Sequence, residues 1–171
     1  LDAYQLQKAA NRFEKFVDDL TNWYLRRSRR RFWKSQDDQD KDDAYRTLHY
    51  TLLNFCRAAA PFIPFVTDAI YRNLRTPGMP DSVHLDDYPA PEASRRDLEL
   101  ERQMDLAMSV ARMGRHLRTE HGVRVRQPLR RLTVVCADPA DRRLIELAAE
   151  IIADELNVKQ VVCRADEQDL V

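Results

Sequence analysis

The chain has 171 residues, and its 28 basic and 28 acidic side chains cancel to a formal net charge of zero. This length suits one domain, or one domain with a small appendage, and it can bury a core without disulfides. No apolar run approaches the roughly 20 residues of a membrane-spanning helix, which excludes an integral helical membrane protein. The three cysteines lie far apart and form no C-x-x-C pair, which excludes a disulfide scaffold. We therefore expect a cytoplasmic protein, and we interpret the chain as part of a longer one.

The first predicted helix begins near Asp2 and contains one apolar stripe. Continuing the stripe beyond Tyr24 leads to Arg27 and Arg31. The sequence thus predicts a helix that is anchored by its first half and extends beyond its core as a cationic arm. The predicted buried stripe consists of Leu6, Ala10, Phe13, Val17, Leu20 and Tyr24.

A run of aspartates, DDQDKDD at residues 37–43, is interpreted as a solvated loop that supplies the cap of a second helix. The apolar stripe of that second helix runs from Tyr45 to Phe62. Pro61 and Pro64 then bend or stop it, because proline lacks the N–H donor that a helix needs.

Two more helices are predicted before residue 120. A short one covers residues 65–74, and a long one runs from near Ser94 to about Thr119. The four prolines and one glycine of residues 76–92 predict an irregular segment between them. The first 120 residues therefore indicate a bundle of four main helices.

The period of the apolar pattern changes after residue 123. The segments RLTVVC at 131–136 and VKQVVC at 158–163 are rich in valine and predict two β-strands. Between them, Asp138 is placed to cap a helix that has Pro139 in its first turn.

The predicted fold class is therefore mainly α. Residues 1–122 form a helical domain, and residues 123–171 form a small α/β subdomain with β-α-β order. Because a strand–helix–strand unit of this size is too small to be a domain alone, we interpret it as a junction to a further part of the parent chain.

The sequence contains no recognisable catalytic or metal-binding constellation. The four histidines have no nearby cysteine and no HExxH spacing, and the three glycines are isolated rather than grouped in a phosphate-binding loop. We expect no catalytic residue, no metal and no cofactor in this chain. The histidines are His49, His84, His116 and His121.

Positive charge is concentrated in NWYLRRSRRRFW, residues 22–33, which contains five arginines and no acid. Such a segment is typical both of a solvated helix end and of an RNA contact, where bases stack on aromatic rings or guanidinium planes. Trp23 also has the spacing of a core residue. Two smaller basic sets occur near the end of the long helix and just after it. The candidate RNA-binding residues are Trp23, Arg26, Arg27, Arg29, Arg30, Arg31, Trp33, Arg112, Arg115, Arg118, Arg124 and Arg126.

Five segments, in order, extend over nearly the whole chain. They are DDLTNWYLRRSRRRFW (18–33), PFIPFVTDAIYRNL (61–74), SVHLDDYP (82–89), GRHLRTEHGVRVRQPL (114–129) and ELNVK (155–159). Together they resemble the anticodon-binding domain of isoleucyl-tRNA synthetases, which are class Ia enzymes with a Rossmann catalytic domain. Valyl and leucyl enzymes share the helix bundle, but we do not expect them to combine these segments.

The resemblance implies the anticodon-binding helix bundle of class Ia synthetases, which holds the anticodon stem and loop of isoleucine tRNA. The parent enzyme would join isoleucine to its tRNA in translation, with ATP and Mg²⁺. The HIGH-type and KMSKS-type signatures and the editing domain are absent here, so this chain would not catalyse by itself. The implied partners are the tRNA and the catalytic and editing domains of the parent chain, and we expect a monomer. Two alternatives remain: a helical protein-docking module without RNA binding, and the equivalent domain of a valyl enzyme.

Overall fold

The computed structural model describes residues 5–33 and 38–166. Their internal contacts divide the chain into two compact units, Leu1–Pro91 and Glu92–Val171. This division differs from the predicted boundary at residue 122, because the long helix that ends at Glu120 packs against helices of the second unit.

The first unit begins with one continuous helical rod, in which a π-helical turn joins two α-helices. Two further helices, α3 and α4, pack against each other, and a 3₁₀ turn follows them. The elements are α1 (Leu6–Asp18), the π-helical turn (Asp19–Leu25), α2 (Arg26–Trp33), α3 (Asp38–Ala59), α4 (Pro64–Leu74) and the 3₁₀ turn (Val83–Leu85).

The aspartate run does not form the predicted solvated loop. Helix α3 begins at Asp38, and the run from there to Asp43 is helical, with acids in the first turn. Negative side chains at a helix N-terminus are stabilised by the positive end of the helix dipole, which explains why the acids are compatible with helix here. Residue 37 lies outside the described residues.

The two prolines after α3 act as predicted. Helix α3 ends at Ala59, before Pro61, and Pro64 occupies the first turn of α4. Proline is tolerated in a first turn because the N–H that it lacks would have no intrahelical acceptor there. The resulting corner encloses the core of the first unit, which is formed by Leu53, Cys56, Ala60, Tyr71 and Val83.

The predicted buried stripe of the first helix is wrong for α1. No residue of α1 is buried, and Val17 is 40% exposed. The helix contacts α3 through aromatic rings instead. The ring of Phe16 stacks on that of Phe55 with 5.5 Å between centroids, and Phe13 contacts both Phe55 and Phe62. A contact on one side by a few large rings leaves the small and β-branched members of the stripe in solvent.

A half-buried acid, Asp86, joins α3, α4 and the segment after the 3₁₀ turn. Asp86 accepts hydrogen bonds from the Tyr71 hydroxyl at 2.6 Å and from Arg57 Nε at 2.8 Å. Burial raises the pKa of Asp86, but these hydrogen bonds outweigh burial and leave the pKa below the ordinary carboxyl range. Asp86 therefore ties a segment without regular structure to two helices.

The second unit contains one long helix and a β-α-α-β arrangement. The strands are parallel neighbours, with Leu132 paired to Val161. Asp138 caps the first short helix by accepting from the N–H groups of Ala140 and Asp141. The elements are α5 (Leu98–Glu120), β1 (Leu132–Val135), α6 (Pro139–Leu147), α7 (Ala149–Leu156) and β2 (Val161–Arg164).

These elements confirm the predicted mainly α fold with a small β-α-β appendage. One detail differs: the single helix predicted between the strands is broken at Ala148, which is fully buried. The break turns the chain so that Leu144 and Ile145 before it, and Ile152 after it, are all buried.

Helix α5 packs closely on α6 and α7. Because Gly114 has no side chain, α5 can lie close to Leu156 of α7. A methyl group added at Gly114 would overlap the side chain of Leu156, which is 1% exposed. In the described parts of the chain, no helix is long and apolar enough to cross a membrane.

Candidate nucleic-acid interface

The π-helical turn determines which side chains of α2 face the core. Its i→i+5 hydrogen bonds place one extra residue in the turn and rotate everything that follows. The buried positions after Tyr24 are therefore Ser28, 7% exposed, and Phe32, 4% exposed, rather than Arg27 and Arg31. The prediction that these arginines continue the apolar stripe is wrong by one residue, and a local change of helix type causes the error.

Phe32 anchors α2 to α3. Its ring meets that of Tyr45 edge to face, with 5.1 Å between centroids, and Ala44 beside it is fully buried. With Ser28 and Phe32 facing inward, the arginines of α2 lie along the sides and the outer face of the helix. We call residues 26–33 the arginine segment.

Arg31 forms an ion pair with Asp40. Its Nε lies 2.9 and 3.1 Å from the two carboxylate oxygens, and its Nη2 lies 2.7 Å from Oδ1. The hydrogen bond raises the pKa of Arg31 and lowers the pKa of Asp40. Because one carboxylate of the aspartate run already neutralises it, Arg31 is less suited to an RNA phosphate than its neighbours.

Two tryptophans, Trp23 just before the arginine segment and Trp33 at its end, each have an arginine guanidinium group above the ring. The guanidinium carbon of Arg27 lies 5.5 Å from the ring centroid of Trp23, and that of Arg29 lies 5.7 Å from the ring centroid of Trp33. Both distances are in the range of cation–π attraction. Trp33 remains 71% exposed, so a large aromatic surface is accessible beside Arg29.

The other two arginines of the segment differ in their surroundings. Arg26 donates from Nε to the carbonyl oxygen of Asn22 at 2.9 Å. Arg30 is exposed, and within residues 5–33 and 38–166 it has neither a hydrogen bond nor an ion pair. Arg30 is therefore the clearest external cation of the segment.

The basic set at the end of α5 divides into three kinds of residue. Arg112 is exposed. Arg115 donates to Glu155 at 2.8 Å, and the Glu155 side chain is only 3% exposed. Arg118 is itself buried, 5% exposed, and all its hydrogen bonds go to backbone carbonyl oxygens. We therefore remove Arg118 from the predicted RNA-contacting set, because its guanidinium group is occupied within the fold.

Residues 1–134 match the family model described as the anticodon-binding domain of tRNA ligase. The chain belongs to this family. The chain is 40% identical over its 171 residues to the isoleucine--tRNA ligase of Protochlamydia amoebophila and 43% identical to that of Treponema denticola. It is 45% identical to that of Chlamydia caviae over 95% of its length. The chain spans about a sixth of each of these relatives, 15–16% of their length. The resemblance found in the sequence is thereby confirmed.

Two exposed arginines of the anticodon-binding domain were missed by the sequence prediction. Arg130 and Arg131 follow the predicted pair Arg124 and Arg126 closely, and all four are exposed. The doublet in PLRRL was the available signal, and its second arginine, Arg131, is the first residue of the predicted strand 131–136.

The described residues of this domain do not fit ATP or Mg²⁺. No group of three or more histidine, cysteine or acidic side chains among them is placed to hold a metal ion. Gly78, Gly114 and Gly122 lie in three separate places and form no phosphate-binding loop.

Proposed function

We propose that this anticodon-binding domain is part of an isoleucine–tRNA ligase and binds the anticodon stem-loop of isoleucine tRNA. Relatives of that name match 95–100% of the chain at 40–45% identity, which supports the choice of isoleucine over valine. The catalytic and editing domains of the parent chain perform the ATP- and Mg²⁺-dependent charging reaction in the cytoplasm, and the enzyme acts as a monomer. The domain itself contributes binding and not catalysis.

The observation that carries this proposal is the composition of the outer face of the arginine segment. Arg30 is exposed to solvent about one helical turn before Trp33, whose ring is also exposed. The guanidinium group of Arg29 lies over that ring. Guanidinium groups bind phosphate, and aromatic and guanidinium planes stack on unpaired bases. Both kinds of group are thus available within one turn of helix.

An anticodon loop is the part of tRNA that fits such a surface. In A-form duplex the bases are hidden in a deep and narrow major groove, whereas unpaired loop bases expose their edges and faces to side chains. A helix that combines stacking surfaces with phosphate-binding groups therefore matches a loop better than a stem.

The test compares binding of the 171-residue chain to an isoleucine tRNA transcript and to a transcript altered only in the anticodon. We expect tighter binding of the unaltered transcript, with an affinity that falls as salt rises. A helical protein-docking module would bind neither transcript selectively, and that result would overturn the proposal. A valyl-type domain would instead prefer a valine tRNA transcript.

Arg30→Gln makes this test specific to the arginine segment. If Arg30 contacts one phosphate, the log–log slope of affinity against salt becomes shallower by roughly 0.7–0.9. Arg12→Gln is the matched control, because Arg12 is an exposed arginine on the same helical rod, roughly 27 Å away along its axis. We expect Arg12→Gln to leave the slope unchanged.

A further inference from the structure

Residues 124–127, which we call the arginine loop, form a turn between α5 and β1. Between the end of α5 and the loop, Gly122 has a positive φ of 65°, a conformation that glycine adopts without strain. The N–H of Val123 then donates to the carbonyl oxygen of Arg118 at 2.7 Å, and the N–H of Gln127 donates to that of Arg124 at 3.0 Å. The loop is therefore closed at both ends by backbone hydrogen bonds.

All four carbonyl groups of the arginine loop also accept hydrogen bonds from side chains. Arg118 Nη1 donates to the carbonyl oxygens of Arg124 and Gln127, each at 3.0 Å. Asn157 Nδ2 donates to those of Val125 and Arg126, each at 3.0 Å. Two side chains from outside the loop thus hold every carbonyl of the turn toward the body of the second unit.

The Arg118 side chain also bonds the backbone at and beside Asn157. Arg118 Nη2 donates to the carbonyl oxygen of Leu156 at 2.6 Å and to that of Asn157 at 3.3 Å. Asn157 caps the C-terminus of α7 in the left-handed conformation, with φ 49° and ψ 54°, which asparagine tolerates better than most residues. The end of α5, the end of α7 and the loop therefore form one hydrogen-bonded assembly around a buried guanidinium group.

This arrangement makes the outer side of the loop positive. The partial negative charges of the carbonyl groups are directed to Arg118 and Asn157, while the residues Arg124, Val125 and Arg126 are all exposed. Within the described residues, the N–H groups of these three residues donate no hydrogen bond, and neither arginine side chain has an acidic partner. N–H groups that donate to no protein acceptor, beside arginine side chains, are suited to an anion.

We propose that the arginine loop is a preorganised phosphate-binding site for the tRNA backbone, in which Arg124 and Arg126 contact phosphate and Arg118 and Asn157 are positioning residues. This inference rests on the proposed function, and it adds a second contact and the residues that hold it in shape. A loop already fixed in its binding conformation loses little conformational entropy on binding. The buried arginine of the predicted RNA-binding set thus acts on RNA through the loop that it supports.

The direct test measures isoleucine tRNA binding by the 171-residue chain over a series of salt concentrations. For Arg124→Gln combined with Arg126→Gln, we expect the log–log slope to become shallower by about one to two units. Arg143→Gln is the control, because Arg143 is an exposed arginine on α6 of the same unit, and we expect it to change neither slope nor affinity. An unchanged slope in the loop variant, with normal wild-type binding, would overturn the inference and leave the proposed function standing. Wild-type protein that does not bind isoleucine tRNA would overturn both.

The positioning role is tested with Asn157→Gly, which keeps the left-handed backbone accessible and removes the side-chain amide. We expect an affinity loss of about three- to tenfold, with faster hydrogen exchange at residues 124–127. In the variant that already carries Arg124→Gln and Arg126→Gln, Asn157→Gly should cause almost no further loss of affinity. Asn157 affects binding only by positioning these two arginines, so its removal has no effect once they are gone. Equal losses in the two backgrounds would show that Asn157 has only a general structural role.

Discussion

The arginine segment and the arginine loop present positive charge in two physically different ways. In the segment, arginines are positioned by contacts within one or two helical turns, such as those of Arg27 with Trp23 and of Arg29 with Trp33. In the loop, arginines are positioned by Arg118 and by Asn157, which is 31 residues beyond Arg126 in sequence. A helix arranges its own surface, whereas a short loop needs support from elsewhere in the fold. Substitutions in the segment should therefore affect binding with little effect on folding, and substitutions under the loop should affect folding strongly.

The largest expected effect is that of Arg118→Ala. The substitution removes the donor that four backbone carbonyl oxygens share. The carbonyl oxygens of Arg124 and Asn157 each keep a backbone N–H donor, but within the described residues those of Gln127 and Leu156 do not, and unsatisfied buried polar groups each cost about 1–3 kcal/mol. We expect the free energy of unfolding of the second unit to fall by about 3 kcal/mol or more. Urea unfolding followed by circular dichroism measures this change. Arg112→Gln, an exposed change on the same helix, is the control, and a loss for Arg118→Ala as small as that of the control would contradict the structural role.

Asp86→Asn tests a second set of contacts between residues distant in sequence, this time in the first unit. The aspartate accepts from Tyr71 and Arg57, and hydrogen bonds to a charged group contribute about 2 kcal/mol. We expect a loss of about that size at pH 7. Both tryptophans, Trp23 and Trp33, lie in the first unit, so unfolding followed by tryptophan fluorescence reports on this unit alone.

The effect of Asp86→Asn should depend on pH in a defined direction. The pKa of Asp86 is lowered in the folded state, so the contribution of this carboxylate to stability is complete above the pKa of an unfolded aspartate, which is about 4. The contribution is lost as the pH falls through the lower pKa of the folded state. The unfolding free energies of wild type and variant should therefore converge below about pH 4. A difference that stayed constant down to pH 2 would mean that the carboxylate charge is not the source of the effect.

Gly114→Ala should have a smaller effect on the second unit. The added methyl group overlaps the buried side chain of Leu156. Overpacking of this kind costs about 1–3 kcal/mol, and the better helix propensity of alanine offsets about 1 kcal/mol, so we expect a net loss of about 1 kcal/mol. Ser109→Ala on the exposed face of α5 is the control and should change stability by no more than a few tenths of a kcal/mol, as its helix propensity alone requires. A stabilised Gly114→Ala variant would show that Leu156 moves aside freely.

The same distinction between local and long-range contacts explains what the sequence could predict. The helix ends at Pro61, Pro64 and Asp138 could be predicted from the sequence, because each of these residues acts on its own turn of helix. The positions of Arg27 and Arg31 were misjudged because the π-helical turn has no sequence signal as clear as a proline. The burial of Arg118 could not be predicted from the sequence, because its carbonyl acceptors at Leu156 and Asn157 are distant in sequence. The residues that support the arginine loop could therefore not be identified from the sequence.

The smallest expected effect is that of Arg31→Gln, and it sharpens the comparison within the arginine segment. The ion pair with Asp40 is weakened by solvent, since the two side chains are 40% and 41% exposed. We expect the melting temperature to fall by a few degrees at most, and high salt should remove most of that difference by screening. Because Arg31 is already neutralised by Asp40, its replacement should change the salt slope of tRNA binding less than Arg30→Gln does. Measurement of both slopes in parallel decides the point. If Arg31→Gln flattened the slope as much as Arg30→Gln, the tRNA would have to displace Asp40, and Arg31 would be a phosphate contact after all.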